Sequence, residues 1–275
     1  TPRPSRRQRQ MCIRDRTQPV ALKAALRHDA IRRAIEVSGQ VSIADLKERL
    51  EVSEVTIRED LKYLERRGVL TRVRGGAVVS RNGAAERSLE ETTTTNPVEK
   101  RAIGARAAAM VENGHTIIID VGSTTTEMAK ALSPDLSRVV VITNGLNIAL
   151  LLESLPGISV IVTGGTLRPL QHSLVAPFAS LLLREVNADI AFIGCNGVDP
   201  EKGFTNTNLA EAEVKYAMIA AARRLIFLAD HSKLMSVATA RVAPLDRADM
   251  LITDDGAGAD ALRRLRKAGL EVLVA

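Results

Sequence analysis

Residues 52–68, VSEVTIREDLKYLERRG, have the pattern of a helix with one buried face. Ile57, Leu61 and Leu64 recur at the i, i+4, i+7 spacing that places side chains on one stripe of a helix. Ser53 precedes the run as an N-cap residue would, and Gly68 ends it as a C′ glycine would. The opposite face is polar and therefore meets either water or an anionic partner; its members are Glu54, Thr56, Arg58, Lys62, Tyr63 and Arg66.

Two further amphipathic segments precede this helix. HDAIRRAIEVSG (28–39) places its isoleucines on one side, and VSIADLKERL (41–50) begins with Ser42 in the N-cap position and Asp45 three residues later. Only residues 51–53 separate the second segment from the helix quoted above. Two helices joined by a tight turn, the second of them basic on its outer face, predict a helix-turn-helix.

The segment that follows, VLTRVRGGAVV (69–79), alternates between apolar and polar residues. Gly75 and Gly76 interrupt the alternation, which predicts a short β-hairpin. Such a hairpin beside a helix-turn-helix is a wing, and Arg72 and Arg74 would project from it next to a DNA duplex.

The polar faces of these elements define a predicted DNA interface. Their hydroxyl and cationic side chains suit phosphates and base edges, and Arg58 is the strongest candidate for a bidentate contact to guanine. The alternative is an ordinary solvated helix face, and for Thr56 and Tyr63 contact and no contact are equally open. The predicted DNA-binding residues are Ser42, Ser53, Thr56, Arg58, Lys62, Tyr63, Arg66, Arg72 and Arg74.

Positive charge is concentrated in the first quarter of the chain. Residues 1–76 hold 18 lysines and arginines against 10 acidic residues, whereas residues 77–275 hold 20 against 22. This asymmetry predicts a polyanion-binding module joined to a neutral one. Residues 1–20 are expected to be a non-native or disordered extension, and MCIRDR (11–16) looks like translated adapter sequence. Without residues 1–16, the first quarter holds 12 lysines and arginines against 9 acidic residues.

Composition limits the class of protein. A hydrophobic content of 45% supports a buried core, and no apolar run reaches the roughly 18 residues of a membrane span. No apolar segment follows the basic start, so no signal peptide is expected. The two cysteines, Cys12 and Cys195, do not suggest a disulfide framework, and a reducing cytoplasm fits best.

The rest of the chain predicts a linker and an α/β domain. Residues 80–97, SRNGAAERSLEETTTTNP, contain almost no apolar side chains and are expected to be a spacer. From residue 98 to 275, strands that are apolar throughout alternate with amphipathic helices. That alternation predicts a mainly parallel sheet covered on both faces. The expected fold is α/β overall, with an N-terminal winged helix-turn-helix over 21–79.

Small polar residues follow four of the predicted strands, at 120–125 (DVGSTT), 143–145 (TNG), 163–165 (TGG) and 194–197 (GCNG). The carboxyl ends of parallel strands meet at one edge of a sheet, so these turns should converge. Gly122 permits a tight turn, after which backbone N–H groups at a helix N-terminus would face an anion. No dinucleotide or ATP motif is present, and no cofactor or metal is predicted.

Two lysines stand near these turns. Glu211 and Lys215 are four residues apart on a predicted helix, where an ordinary salt bridge of about 0.3–0.5 kcal/mol is the alternative to a binding role. Lys233 follows a buried strand and is otherwise a solvated loop lysine. From the residues alone the ordinary interpretation is favoured for both lysines. Cys195 is interpreted as a small buried hydrophobe.

Two sets of these motifs resemble one family. VSEVTIREDLKYLERRGVLTRVRGGAV (52–78) resembles the winged helix-turn-helix of DeoR-type bacterial transcriptional regulators, and the likeness covers roughly residues 26 to 79. DVGSTT, TNG, TGG, the Glu-Ala-x-x-Lys segment and D-x-S-K resemble the effector domain of the same family over roughly 99 to 254. The chain departs from the family at Glu59, which replaces a basic residue and should turn sideways into a salt bridge. Arg74 replaces a histidine, and Ala176 replaces a glycine.

The resemblance implies a function. The DeoR-type effector domain is similar to sugar-phosphate isomerases of the ribose-5-phosphate isomerase type, which implies a repressor of sugar or polyol catabolism whose operator binding responds to a phosphorylated sugar. By this likeness a Ser-Thr-Thr turn holds the phosphate, lysines add positive charge, and Asp120, Asn144 and Glu211 bind hydroxyls. The implied effector-binding residues are Asp120, Gly122, Ser123, Thr124, Thr125, Asn144, Gly164, Gly165, Asn196, Glu211, Lys215 and Lys233.

The implied partners are double-stranded operator DNA, a phosphorylated sugar and further copies of the chain in a homodimer or homotetramer, with no membrane. Two other functions stay open. One is a sugar-phosphate isomerase with Glu211 or Asp120 as base, although an isomerase has no use for a DNA-binding module. The other is a nucleic-acid binder with a purely dimerising second domain. No catalytic residue is predicted.

Overall fold

The computed structural model of the chain describes residues 18–66, 69–79 and 87–275. The chain divides into two compact units, Thr1–Glu86 and Arg87–Ala275. Within the described residues, no helix combines the length and apolar character that a membrane span requires.

The first unit contains three helices and a three-stranded antiparallel sheet in its described part, in which β3 lies between β1 and β2. This arrangement is the predicted winged helix-turn-helix. Its elements are α1 (Gln18–Ser38), β1 (Gln40–Ser42), α2 (Ile43–Leu50), α3 (Glu54–Arg66), β2 (Leu70–Val73) and β3 (Gly76–Val79).

Both serines predicted as N-caps have that role. Ser42 Oγ accepts a hydrogen bond from the Asp45 N–H at 3.0 Å, and Ser53 Oγ accepts one from the Thr56 N–H at 3.2 Å. These bonds satisfy N–H groups that the first turn of a helix leaves without partners. The predicted stop at Gly68 lies outside the described residues.

The apolar stripes of the helices pack against the wing in one core. This core consists of Ile31, Ile35, Leu46, Ile57, Leu61, Leu64, Leu70 and Ala77.

Asp60 joins the first helix to the third. It is 5% exposed, and its carboxylate accepts hydrogen bonds from Arg27 Nε at 2.7 Å and Nη2 at 3.1 Å, while His28 Nε2 lies 2.8 Å away. The helix predicted over 28–39 begins earlier, at Gln18, and its added turns supply Arg27, whereas His28 is the first residue of the predicted range. Of the extension expected over 1–20, residues 1–17 lie outside the described residues.

Residues 87–97 do not form the spacer expected over 80–97. They include α4 (Leu89–Thr93), whose N-cap Ser88 accepts from the Glu91 N–H at 3.1 Å within a capping box. Ser88 and Leu89 are both buried, and the segment belongs to the second unit. We call residues 87–97 the strap. The remainder of the predicted linker, 80–86, lies outside the described residues.

The second unit is built on a seven-stranded parallel sheet with the order β15-β14-β12-β9-β4-β5-β6. Helices cover both faces, and neighbouring residues of one strand, such as Ile117 and Ile118, belong to different apolar clusters. The predicted parallel sheet is confirmed. Its strands are β4 (Thr116–Ile119), β5 (Val139–Thr143), β6 (Ile158–Val162), β9 (Ala188–Gly194), β12 (Ala222–Leu228), β14 (Met250–Thr253) and β15 (Val272–Val274).

Besides α4, the α-helices of this unit are one that precedes its first strand and five that connect later strands, as parallel pairing requires. They are α5 (Pro97–Ala108), α6 (Ser123–Lys130), α7 (Leu146–Leu152), α8 (Phe178–Arg184), α9 (Leu209–Ala220) and α10 (Ala259–Lys267).

Five short strands of this unit were not predicted from the sequence. β7 (Thr166–Arg168) and β8 (Ser173–Val175) form a hairpin in which Arg168 stands opposite Ser173. β10 (Gly197–Asp199), β11 (Gly203–Asn206) and β13 (Ala240–Ala243) form a separate antiparallel sheet. Each has only three or four residues, too few to show an alternating pattern.

Gly104 lets α5 approach α6 closely. A Cβ at this position would lie 2.6 Å from Met128 N and 2.7 Å from Glu127 C, which are backbone atoms of α6. We expect Gly104→Ala to lower the urea midpoint of the second unit. Strain of about 1–3 kcal/mol outweighs the helix propensity of roughly 1 kcal/mol that alanine gains.

Ala105→Gly is the control, because its position is exposed and only propensity changes. A rise in the midpoint of Gly104→Ala would show that the two helices can move apart without cost.

Candidate nucleic-acid interface and ligand pocket

The outer face of α3 presents Arg58 to solvent in an ion pair. Its Nε and Nη2 donate to Glu54 Oε1 at 3.0 and 2.7 Å, and the two side chains are 63% and 52% exposed. Exposed pairs of this kind contribute little, about 0–1 kcal/mol, so the guanidinium can exchange Glu54 for another anion at small cost.

The neighbouring side chains extend this face. Lys62 Nζ lies 4.0 Å from Glu59 Oε1, so Glu59 has the sideways salt bridge expected for it. Val55 is 71% exposed and was not predicted as a contact residue. It shares the i, i+3, i+7 spacing with Arg58 and Lys62, a signal that was available in the sequence.

Of two other predicted contact residues on α3, Tyr63 packs against the protein and Thr56 takes part in the cap of its own helix. The Tyr63 ring stacks on His28, with centroids 4.4 Å apart, and is partly buried against the core. Thr56 Oγ1 lies 2.9 Å from Ser53 Oγ, within the capping interaction. Arg66 is the last residue of α3, and its side chain lies outside the described part.

The wing is tied to α3 through Arg72. Its backbone N–H donates to Glu65 Oε1 at 3.0 Å and its Nε donates to Oε2 at 2.5 Å. These bonds lower the pKa of Glu65. Arg74 lies exposed in the turn between β2 and β3. Arg72 therefore positions the wing, while Arg74 extends from it.

In the second unit, a buried ion pair lies at the carboxyl edge of the sheet. Lys215 Nζ donates to Asp120 Oδ2 and, at 3.0 Å, to the Gly194 carbonyl, while the Gly194 N–H donates to the same Oδ2 at 3.0 Å. Both side chains of the pair are almost fully buried. Burial raises the pKa of Asp120, and the charge and hydrogen bond of Lys215 act in the opposite sense.

The adjacent strand end is held by Asn144. Its Oδ1 accepts from the Val121 N–H at 2.9 Å, which fixes the turn after β4. Among the described residues, Asn144 Nδ2 and Asp120 Oδ1 are buried without a hydrogen-bond partner. Since buried polar atoms are usually paired, these two atoms have the capacity to bond a polar group of a ligand at this edge.

The N-terminus of α6 follows this turn directly. Gly122 has a φ of 155° at the N-cap, and the Thr126 N–H is the donor to the Gly122 carbonyl at 2.9 Å. The N–H groups of the first turn have no acceptor within the helix. Those of Ser123 and Thr124 therefore point out of its N-terminus. The hydroxyl of Thr125 donates to the Gly122 carbonyl at 3.0 Å and so serves the turn itself.

Glu211 is the centre of a second polar cluster. Its Oε1 accepts from Arg168 Nη1 at 2.5 Å and from Ser173 Oγ at 2.7 Å, and its Oε2 accepts from Asn206 Nδ2 at 3.3 Å. The helix salt bridge considered between Glu211 and Lys215 is therefore wrong, because each has other partners. Arg168, Ser173 and Asn206 were missed, since they lie on short strands without a pattern.

Three predicted residues have turn-forming roles. A Cβ at Gly165 would lie 2.1 Å from the Val175 carbonyl, so glycine there allows the β7–β8 hairpin to approach. Gly164 adjoins it with a φ of 71°. Asn196 is exposed, and its Oδ1 accepts from the Thr207 N–H at 2.9 Å.

Lys233 belongs to a third cluster with Lys100 and Asp230. Lys100 is 3% exposed and donates to the Thr92 carbonyl at 2.5 Å; burial lowers its pKa to about 8. Asp230 faces both lysines, and despite burial its pKa is lowered, by Ser232 and then by Lys233. Burial raises the pKa of the nearby Cys195 thiol to about 12, which disfavours the thiolate at neutral pH.

The described residues contain no group of side chains suited to bind a metal ion. Within residues 18–66, 69–79 and 87–275, no three His, Cys, Asp or Glu side chains are grouped to hold an ion.

Comparison with known protein families agrees with both units. The pattern of the DeoR-like helix-turn-helix domain matches residues 27–82, and that of the DeoR C terminal sensor domain matches residues 95–255. The chain belongs to the DeoR family of transcriptional regulators.

Two relatives and one solved structure illustrate the likeness. The HTH-type transcriptional regulator GolR of Listeria innocua is 34% identical over 90% of this chain and 98% of its own length. The glycerol-3-phosphate regulon repressor of Haemophilus influenzae is 29% identical over 85% of this chain and 91% of its own. Ribose 5-phosphate isomerase A from Methanocaldococcus jannaschii aligns in structure with a TM-score of 0.38 and 20% identity, covering 50% of this DeoR-family chain and 55% of the isomerase.

We expect Lys215→Met to destabilise the second unit of this regulator by about 3–5 kcal/mol, because it leaves Asp120 buried beside no cation. The loss should depend on pH. Burial raises the pKa of Asp120 above its unfolded value, so protonation favours the folded state and stability falls as pH rises. The deficit should be smallest below the ordinary aspartate pKa of about 4 and grow above it.

Urea unfolding at several pH values measures this effect. Lys215→Met combined with Asp120→Asn is the control, since it removes both charges and should recover stability at neutral pH. A deficit that is the same at every pH would contradict the charge explanation.

Proposed function

We propose that this DeoR-family regulator is a repressor that binds double-stranded operator DNA in the cytoplasm through α3 and the wing. A phosphorylated sugar or polyol bound at the carboxyl edge of the sheet changes its DNA affinity. The ligand site is carried by one observation, the two buried, unpartnered polar atoms of Asp120 and Asn144 beside the start of α6. The name of the Haemophilus relative, a glycerol-3-phosphate regulon repressor, supports the same ligand class.

The DNA interface would consist of the exposed stripe Val55, Arg58 and Lys62, extended by Arg74. Arg58 suits a bidentate contact to guanine, and the Val55 side chain suits a thymine methyl group. Lys62 and Arg74 would contact phosphates, together with the hydroxyls of the N-cap serines. Arg72 and Tyr63 would act indirectly, by holding the wing and α3 in place.

The ligand pocket would bind phosphate at the N-terminus of α6. Backbone N–H groups and the helix dipole favour an anion there, and Ser123 and Thr124 are placed to donate. Lys215, Lys233 and Lys100 add positive charge. The hydroxyls of the ligand would pair with Asp120 Oδ1, Asn144 Nδ2 and the carboxylate of Glu211.

The chain would work as a homodimer or homotetramer without turning over its ligand. Paired operator half-sites require a symmetric oligomer.

The isomerase alternative needs a carboxylate free to accept a proton from the substrate. Asp120 Oδ1 has no hydrogen-bond partner in the described part of the chain, so the site alone does not decide between the two functions. An isomerase has no use for the helix-turn-helix domain that matches residues 27–82, and this favours binding over catalysis.

Arg58→Ala should weaken binding to an operator DNA fragment by about fivefold to 150-fold, as expected for loss of about 1–3 kcal/mol. The matched control is Arg263→Ala, which removes an equally exposed helix arginine paired with Asp260 in the other unit. Fluorescence anisotropy of labelled DNA gives both constants. Equal affinities for the two variants would contradict the role of α3.

Ser123→Asp should abolish stabilisation by phosphorylated sugars. A saturating ligand, at a hundred times its dissociation constant, adds about 2.7 kcal/mol to the parent, and a carboxylate at this position would repel its phosphate. The fold should tolerate the change, since aspartate suits the first turn of a helix. Thermal unfolding with glycerol 3-phosphate and ribose 5-phosphate measures it.

Ser137→Asp, an exposed loop substitution before β5, is the control for added charge. The phosphate position is wrong if Ser123→Asp is stabilised as much as Ser137→Asp.

A further inference from the structure

The turn end of the β7–β8 hairpin contacts both Glu211, at the proposed ligand pocket, and the strap. Arg168 and Ser173 are directly opposite each other in the hairpin, and both donate to Glu211 Oε1. A single carboxylate oxygen on α9 therefore fixes the two strands at the point where the turn 169–172 begins. Glu211 is 7% exposed, so this contact is made away from bulk water.

The turn of the hairpin holds the first residues of the strap. The Leu89 N–H donates to the Leu170 carbonyl at 2.9 Å, and Gln171 Nε2 donates to the Arg87 carbonyl. His172 Nε2 lies 3.4 Å from Glu90 Oε1. Three consecutive turn residues thus contact the strap within four residues of its start.

The end of the strap is fixed separately. Asn96 Nδ2 donates to Asp230 Oδ1 at 3.0 Å, and Lys100 Nζ donates to the Thr92 carbonyl. The start of the strap, by contrast, adjoins residues 80–86, which connect it along the chain to β3 of the wing. The hairpin therefore holds the part of the sensor unit that lies nearest in sequence to the DNA-binding unit.

We propose that Glu211 controls the attachment of the strap through Arg168. A ligand hydroxyl that donates to Glu211 Oε1 competes with Arg168 and Ser173 for that oxygen. Loss of these bonds frees the base of the turn, and the strap start loses its partners at Leu170 and Gln171. Arg168 is in this sense a positioning residue. The inference rests on the proposed function, in which the pocket binds an effector, and supplies its route to the DNA-binding unit.

Backbone hydrogen exchange in the full-length chain, without ligand or DNA, tests this link. Arg168→Gln should speed exchange of the Leu89 amide by about tenfold, because local opening exposes its hydrogen bond to Leu170. Glu211→Gln should act in the same direction. Arg168→Lys keeps a cation that can reach Glu211 and should restore protection close to the parent value.

Amides of the central strands, at Ile118 and Phe192, separate local from global effects and should be unchanged. Arg263→Gln, which removes an exposed pair with Asp260, is the matched control and should leave Leu89 protected.

Protection of Leu89 equal to the parent in Arg168→Gln would overturn the inference, as would equal acceleration at Leu89, Ile118 and Phe192. Failure of the proposed function would show differently, as absence of DNA binding or of ligand stabilisation, with the exchange pattern intact.

Discussion

The buried ion pair of Lys215 and Asp120 holds the carboxyl edge of the sheet together. It connects α9 to the end of β4, and through the Gly194 backbone to the end of β9. A charge in this position is tolerable only because its partner is in contact, since either ion alone would lose several kcal/mol of hydration. The ends of β4 and β9 are therefore fixed relative to α9. The positions of the turns that follow these strands, and of the polar residues on them, are fixed as a result. Glu211, one turn earlier on the same helix, brings the β7–β8 hairpin to the same edge.

The first unit differs from the second, because the cationic side chains proposed to contact DNA lie at its surface. Arg58 and Lys62 face carboxylates on their own helix, and these pairs are exposed and weak. Arg27, by contrast, is paired with the buried Asp60 and fixes α1 against α3. Burial thus divides the arginines of this unit into those that build it and those that can exchange partners.

Much of this organisation could be predicted from the sequence. The stripe of Ile57, Leu61 and Leu64 predicts α3 because a helix repeats its buried face every three to four residues, and the apolar strands predict a covered parallel sheet. The β7–β8 hairpin could not be predicted, since strands of three residues carry no period. Lys215 was misjudged for another reason. Its partner Asp120 is 95 residues away in the chain, whereas the local spacing pointed to Glu211. Arg168 and Lys100 likewise take their roles from tertiary contacts that no local pattern encodes.

The placement of the aromatic side chains has a practical consequence. The chain contains two tyrosines and no tryptophan, and each unit holds one tyrosine. Tyr63 is covered on one side by the imidazole of His28, whereas Tyr216 is 68% exposed on α9. Acrylamide should therefore quench the emission of Tyr216 more strongly than that of Tyr63. With the other tyrosine replaced by phenylalanine, ultraviolet fluorescence then follows each unit separately, with no dye attached.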